Sequence, residues 1–198
     1  MASTVGVKRS LLGREVLPLA LLFAGLVLAA LLLDALLHRL QLVWVGRYLG
    51  IPGVLLILIS MRYSLRKRKY VLSGNPIQLL KRHKWMAWLG SLLVLVHAGI
   101  HFNAILPWLA VAAMLVNVAS GLTGTYLLGR ARSHLEARRQ SLLKQGLGAE
   151  EVEGQRLWDS STLDFLKQWR VVHLPIALVF AALALAHLLS IFLFWGWR

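Results

Sequence analysis

Four of the seven histidines in this chain form two pairs with the same internal spacing. His83 and His97 are 14 residues apart, and so are His173 and His187. A neutral imidazole ring can ligate zinc, copper or haem iron. The repeated interval therefore points to two related ligand positions on each of two chain segments.

The interval has a simple meaning if both segments are α-helices. Fourteen residues advance about 21 Å along a helix and stop about 40° short of four full turns. The two rings of each pair then lie on one helix face, near opposite ends. On parallel helices, His83 can face His173 at one end, and His97 can face His187 at the other.

Hydropathy identifies the helices that carry these residues. Five apolar runs are long enough to cross a hydrocarbon core of about 30 Å. They cover residues 17–37, 43–63, 84–103, 105–128 and 171–195. The first run is too long for a secretory signal and lacks a small-residue cleavage site. The sequence predicts an all-α membrane protein with five transmembrane helices in a single domain, residues 1–198.

Charge predicts how these spans are oriented. Nineteen of the 22 Lys and Arg residues fall in the N-terminal tail, in 62–84 or in 129–170. By the positive-inside rule, these segments and the N-terminus are cytoplasmic, in a multi-pass protein of the cell (inner) membrane. Spans three and five then both start from the cytoplasm and run parallel. We call His83 and His173 the inner pair, and His97 and His187 the outer pair.

Several classes of function are disfavoured. The chain has no cysteine, which excludes thiolate-bound iron–sulfur clusters and Cys-attached haem. No Gly-rich loop predicts a nicotinamide-binding region. The basic residues flank spans, where membrane lipid accounts for them, so no nucleic-acid partner is expected. The cytoplasmic loop 129–170 holds six of the eight acids and is either a docking element for another subunit or a solvated connector.

The ligand chemistry favours haem. Zinc usually takes four protein ligands, whereas two histidines on facing helices suit the two axial positions of a haem iron. A haem between helices also needs small residues beside it, and Gly90 lies midway between His83 and His97. His101, one turn beyond His97, is the fallback outer ligand. The alternative is that these histidines and glycines serve ordinary helix packing.

The arrangement of these histidines resembles that found in two known protein families. The pattern is similar to the four-helix dihaem core of cytochrome b and to the transmembrane domain of ferric reductases and NADPH oxidases. "HKWMAW" at 83–88 resembles the start of a haem-bearing helix in the NADPH oxidases, and "HAGIH" at 97–101 resembles their later histidines. That resemblance would nominate His101, whereas the interval in span five favours His97. The resemblance implies a four-helix bundle of spans two to five that encloses two b-type haems, with span one outside.

Other polar residues are secondary candidates. Asp34 and His38 could accept protons from a quinol or form a plain interfacial pair. Basic residues at the depths where haem propionates would emerge are Arg47, Arg62, Arg66, Lys84 and Arg170.

The functional expectation is a dihaem b-type cytochrome that acts as the electron-transfer subunit of a membrane oxidoreductase. It would connect a quinone pool with a redox partner. An alternative is a transmembrane reductase, fed by a cytoplasmic flavoprotein and reducing external ferric iron or oxygen. A third is a haem-free transporter or assembly scaffold.

Overall fold

The computed structural model describes residues 17–99, 104–144 and 149–194. All regular structure in this part of the chain is helical. The helices in chain order are α1 (Leu17–Arg39), α2 (Val43–Tyr48), α3 (Gly50–Ser60), α4 (Arg62–Lys67), α5 (Pro76–Ala98), α6 (Ile105–Lys144) and α7 (Ala149–Phe194). The prediction of an all-helical chain is confirmed for these residues.

Four helical stretches are long and apolar enough to cross a membrane. They are Leu17–Arg39, Val43–Lys67, Ile105–Tyr126 and Val171–Phe194. They match predicted spans one, two, four and five and indicate a multi-pass membrane protein. Predicted span three, 84–103, begins inside α5, whose first turns carry basic residues. Its membrane crossing stays a prediction.

Local sequence explains where α5 begins and ends. Asn75 caps the helix, because its side chain accepts a hydrogen bond from the Ile77 backbone N–H at 2.9 Å. Pro76 occupies the first helical position, where no backbone N–H is required. Gly99 ends the helix with φ of 52°, a conformation that glycine adopts without steric cost. The positions of His83 and His97 are therefore set by a helix with defined ends.

Helix packing forms two antiparallel pairs that meet directly, where α5 contacts α6, and through α1. Helix α3 packs against α5, and α6 packs against α7, while α1 contacts both α5 and α6. We expected span one to pack outside a bundle of spans two to five. Its Leu26 and Ala30 form a buried apolar cluster with Leu92 and Val96 of α5. Span one therefore packs on α5, and its place outside a haem-enclosing bundle stays a prediction.

The predicted cytoplasmic loop, 129–170, is largely helical. Helix α6 continues through its basic segment to Lys144, and α7 starts at Ala149 and reaches Phe194 without a break. The stretch from Ser161 to Trp169 is part of α7 and does not form a separate helix. Its residues include strong helix formers that extend the membrane helices into this region.

Candidate metal centre

His83 of the inner pair is hydrogen-bonded to Ser60, the last residue of α3. Its Nδ1 lies 3.0 Å from the Ser60 carbonyl oxygen and 3.2 Å from the Ser60 Oγ. A carbonyl oxygen can only accept, so Nδ1 carries the hydrogen and donates. The Tyr63 ring stacks on the imidazole with centroids 5.6 Å apart. The remaining nitrogen, Nε2, therefore keeps the lone pair that a metal requires.

His173 has an equivalent arrangement on α6. Its Nδ1 lies 3.1 Å from Ser120 Oγ, and Ser120 is buried. Gly121 leaves room for the ring, because a Cβ at that position would stand 3.4 Å from His173 Cε1. When Nε2 binds a metal, Nδ1 retains its hydrogen and donates to the serine. Both inner imidazoles are thus oriented through Nδ1.

His97 of the outer pair packs against a glycine instead of a hydrogen-bonding group. A Cβ added to Gly50 would lie 2.7 Å from His97 Cδ2 and 2.9 Å from Nε2. The ring therefore occupies the space that any larger residue would fill. His97 Nδ1 is buried and has no hydrogen-bond partner among the described residues. An unpaired buried nitrogen costs free energy, which makes it a candidate contact for a bound group.

His187 of the outer pair borders an open cavity of about 780 Å³. Residues 104–107 at the start of α6 form one wall, and Ser190, Ile191 and Phe194 of α7 form the other. The volume falls within the range of roughly 300–1,000 Å³ that is usual for ligand sites. His187 is therefore accessible from this cavity, whereas Nδ1 of His97 is buried.

The members of each predicted pair are near enough to interact electrostatically, His83 with His173 and His97 with His187. Within the described part of the chain, the helices that carry them, α5 and α7, form no extensive packing interface.

The residues midway between the two levels have different surroundings on the two helices. Gly90 is buried against the second span, where a Cβ would lie 2.8 Å from the Gly53 carbonyl oxygen and 2.8 Å from Ile57 Cγ1. It thus allows α3 and α5 to approach closely, and its predicted place beside a haem stays a prediction. On α7, Phe180 is buried seven residues from each histidine.

The secondary candidates occupy varied positions. Asp34 is buried in α1, and its Oδ2 lies 3.5 Å from His38 Nδ1. Of the proposed propionate partners, Arg47, Arg62 and Lys84 are exposed and Arg66 is half-buried. His101 lies outside the described residues, and so do the surroundings of the Arg170 side chain.

Each level offers two histidines. Among the described residues, no group of three or more His, Cys, Asp and Glu is placed to hold a metal ion, and zinc sites usually take at least three protein ligands. At the inner level, His83 and His173 each have Nδ1 beside a serine, so Nε2 of both rings would be available to a haem iron.

Three residues of this centre were missed by reasoning from the sequence. Ser60 and Ser120 orient the inner histidines, and Gly50 receives the His97 ring. No local sequence pattern links the two serines to their histidines, because they lie 23 and 53 residues from them in the sequence. Gly50 did have one, since Gly46, Gly50 and Gly53 form a small-residue stripe of the kind that mediates close packing of membrane helices.

Comparisons with protein-family models, with curated proteins and with solved structures find no significant match to this chain.

Proposed function

We propose that this protein is a dihaem b-type cytochrome of the cell membrane that transfers electrons across the bilayer. The observation that supports the proposal is the electrostatic proximity of two histidine pairs at two levels of α5 and of the membrane-length part of α7, Val171–Phe194, between helices without an extensive packing interface. Two pairs at separate membrane depths suit two redox centres in series. If the histidines served only helix packing, the same 14-residue interval would not be needed on both helices.

The residues of the chain would have distinct tasks. His83 and His173 would present Nε2 at the inner level, while Ser60 and Ser120 hold their Nδ1 atoms. His97 and His187 would serve the outer level. The chemistry supplied by a bound haem is reversible one-electron transfer at iron. Burial between helices would exclude water and help to tune the reduction potentials.

We propose that the chain works as the electron-transfer subunit of a membrane oxidoreductase, between a quinone pool and a redox partner. Four of the predicted spans are accounted for by helices long enough to cross a membrane, and α5 supplies the fifth in this proposal. The N-terminus would be cytoplasmic, as the distribution of Lys and Arg favours. A quinone would be a second ligand.

One observation favours a second candidate function, a transmembrane reductase fed by a cytoplasmic flavoprotein. The cavity beside His187 is open and large enough for an acceptor to approach the outer level. Ferric iron and oxygen are the external acceptors that we would test. The two functions differ in their donor, so reduction of the purified protein by a quinol or by a reduced flavoprotein distinguishes them.

The test is a reduced-minus-oxidised spectrum of the purified full-length protein, with haem extracted and counted per chain. We expect an α-band of b-type haem and two haems per chain. His38→Ala is the matched control and should keep both, because His38 pairs with Asp34 of its own helix. A spectrum without this band would contradict the proposal and favour a haem-free transporter or assembly scaffold.

A further inference from the structure

A small cavity lies behind His83, at the predicted cytoplasmic boundary of spans two and three. It encloses about 70 Å³ between α3, α4 and α5. Arg62 and Arg82 line it from two different helices, together with Tyr63. The lining also includes His83 and Ser60, whose carbonyl oxygen accepts from His83 Nδ1. The cavity therefore adjoins the candidate metal centre, while its two arginines belong to no part of that centre.

The two arginines bring positive charge that no acid among the described side chains balances. The sequence contains no Asp or Glu between Asp34 and Glu136. Arg62 Nη2 donates to Ser73 Oγ at 3.3 Å, which is a neutral acceptor. Among the described residues, no carboxylate forms an ion pair with Arg62 or Arg82. Two guanidinium groups at one cavity are suited to bind a phosphate, which accepts several hydrogen bonds.

The segment that joins α4, which carries Arg62, to α5 is held in a defined shape. Arg66 Nε donates to the Gly74 carbonyl oxygen at 3.3 Å, and Gly74 has a positive φ of 102°. The Asn75 cap fixes the start of α5 directly after it. The spacing between the two arginines is therefore set by the fold.

The remaining lining is apolar, which indicates a lipid and not a soluble phosphate. Ile59, Leu79 and Met86 form this part of the wall, and Ile59 continues onto an exposed apolar surface of the second span. Such a surface suits an acyl chain, and the arginines suit the headgroup above it. We propose that this cavity binds the phosphate headgroup of an anionic phospholipid. The inference goes beyond the proposed function, because it requires no haem.

The experiment is a titration of the purified full-length protein with palmitoyl-oleoyl phosphatidylglycerol, followed by native mass spectrometry. Phosphatidylcholine of the same chain length gives the baseline. One basic residue near an anionic surface contributes a factor of about five in affinity, so Arg62→Gln with Arg82→Gln should weaken phosphatidylglycerol binding roughly 25-fold.

The matched control removes the same charge nearby. Arg68→Gln with Lys81→Gln alters two exposed basic residues that do not line the cavity. We expect it to bind phosphatidylglycerol nearly as the wild type does. Equal losses in both double variants, or no loss in the first, would overturn the proposal.

Two further arms separate the site from folding and from soluble phosphate. Arg62→Lys with Arg82→Lys retains both charges and should retain most of the lipid affinity, while its melting temperature reports whether the loop is intact. Glycerol 3-phosphate at millimolar concentration should not displace the lipid. Displacement would show that the headgroup alone is recognised and would overturn the assignment to a phospholipid.

Discussion

The inner and outer histidine pairs use the same spacing but have different support. At the inner level, Nδ1 of each ring has a serine partner, 3.0 Å away for His83 and 3.1 Å away for His173. At the outer level, His97 Nδ1 has no partner among the described residues, and His187 borders an open cavity. The inner rings are therefore oriented by hydrogen bonds within the protein, whereas His97 has no such bond at Nδ1.

The difference in hydrogen bonding at Nδ1 should change how tightly each level would bind a haem. Hydrogen bonds that fix a histidine tautomer raise its basicity as a metal ligand and reduce the entropy lost on binding. An inner centre with two such bonds should hold its haem more tightly than the outer centre. The more open outer centre is better placed to exchange electrons with a second molecule.

The largest expected effect comes from a change that affects both levels. Gly90→Ala places a Cβ 2.8 Å from the Gly53 carbonyl oxygen, and a backbone atom cannot move aside cheaply. We expect the α3–α5 packing to open, at a cost of about 1–3 kcal/mol in stability. The melting temperature of the detergent-solubilised protein should fall, with haem lost from both levels.

Gly25→Ala is the matched control for this change. A Cβ there has no other atom within 4 Å, so its melting temperature should equal that of the wild type or exceed it slightly. If Gly90→Ala is as stable as Gly25→Ala, the close packing of α3 on α5 is not a source of stability.

A second substitution should affect the outer level alone. Gly50→Ala places a Cβ 2.7–2.9 Å from three atoms of the His97 ring, so the imidazole must rotate away. We expect haem content to fall from about two per chain towards one, since only one axial ligand set is disturbed. Redox titration should then show the inner component unchanged. Loss of the inner component instead would contradict the placement of His97.

A third substitution should alter the inner level without removing its haem. Ser120→Ala deletes the acceptor for His173 Nδ1, which should make the imidazole a weaker electron donor and favour ferrous iron. A lost hydrogen bond of about 1 kcal/mol corresponds to roughly 40 mV for one electron. We expect the inner reduction potential to rise by some tens of millivolts, measured by spectroelectrochemistry.

Ser60→Ala is the natural comparison and should have the smallest effect. It removes the Ser60 hydroxyl, but the backbone carbonyl still accepts from His83 Nδ1 at 3.0 Å. Its potential should stay closer to that of the wild type than that of Ser120→Ala. The reverse order would mean that the hydroxyl, and not the carbonyl, orients His83.

Part of this organisation could be predicted from the sequence. Hydropathy located four stretches that the fold contains as membrane-length helices, because apolar length alone sets that requirement. The 14-residue interval also placed His83, Gly90 and His97 on one face of α5, and all three contact or approach the second span. Helical periodicity is sufficient for that inference.

The rest depends on contacts between distant segments. Periodicity states which residues share a face, but not which helix that face meets, so the contacts of Gly90 with Gly53 and of His97 with Gly50 were not predicted. The contacts of Leu26 and Ala30 in α1 with α5 were not predicted for the same reason. Small-residue spacing in span two was the available signal.

The most direct test of the central claim is haem content per chain, with optical and EPR spectra, in single His→Ala variants. We predict that His83→Ala and His173→Ala lose the same haem component, and that His97→Ala and His187→Ala lose the other. His101→Ala should keep both. Loss of one haem in His101→Ala with full retention in His97→Ala would contradict the outer pair, and full retention in all four ligand variants would contradict the account as a whole.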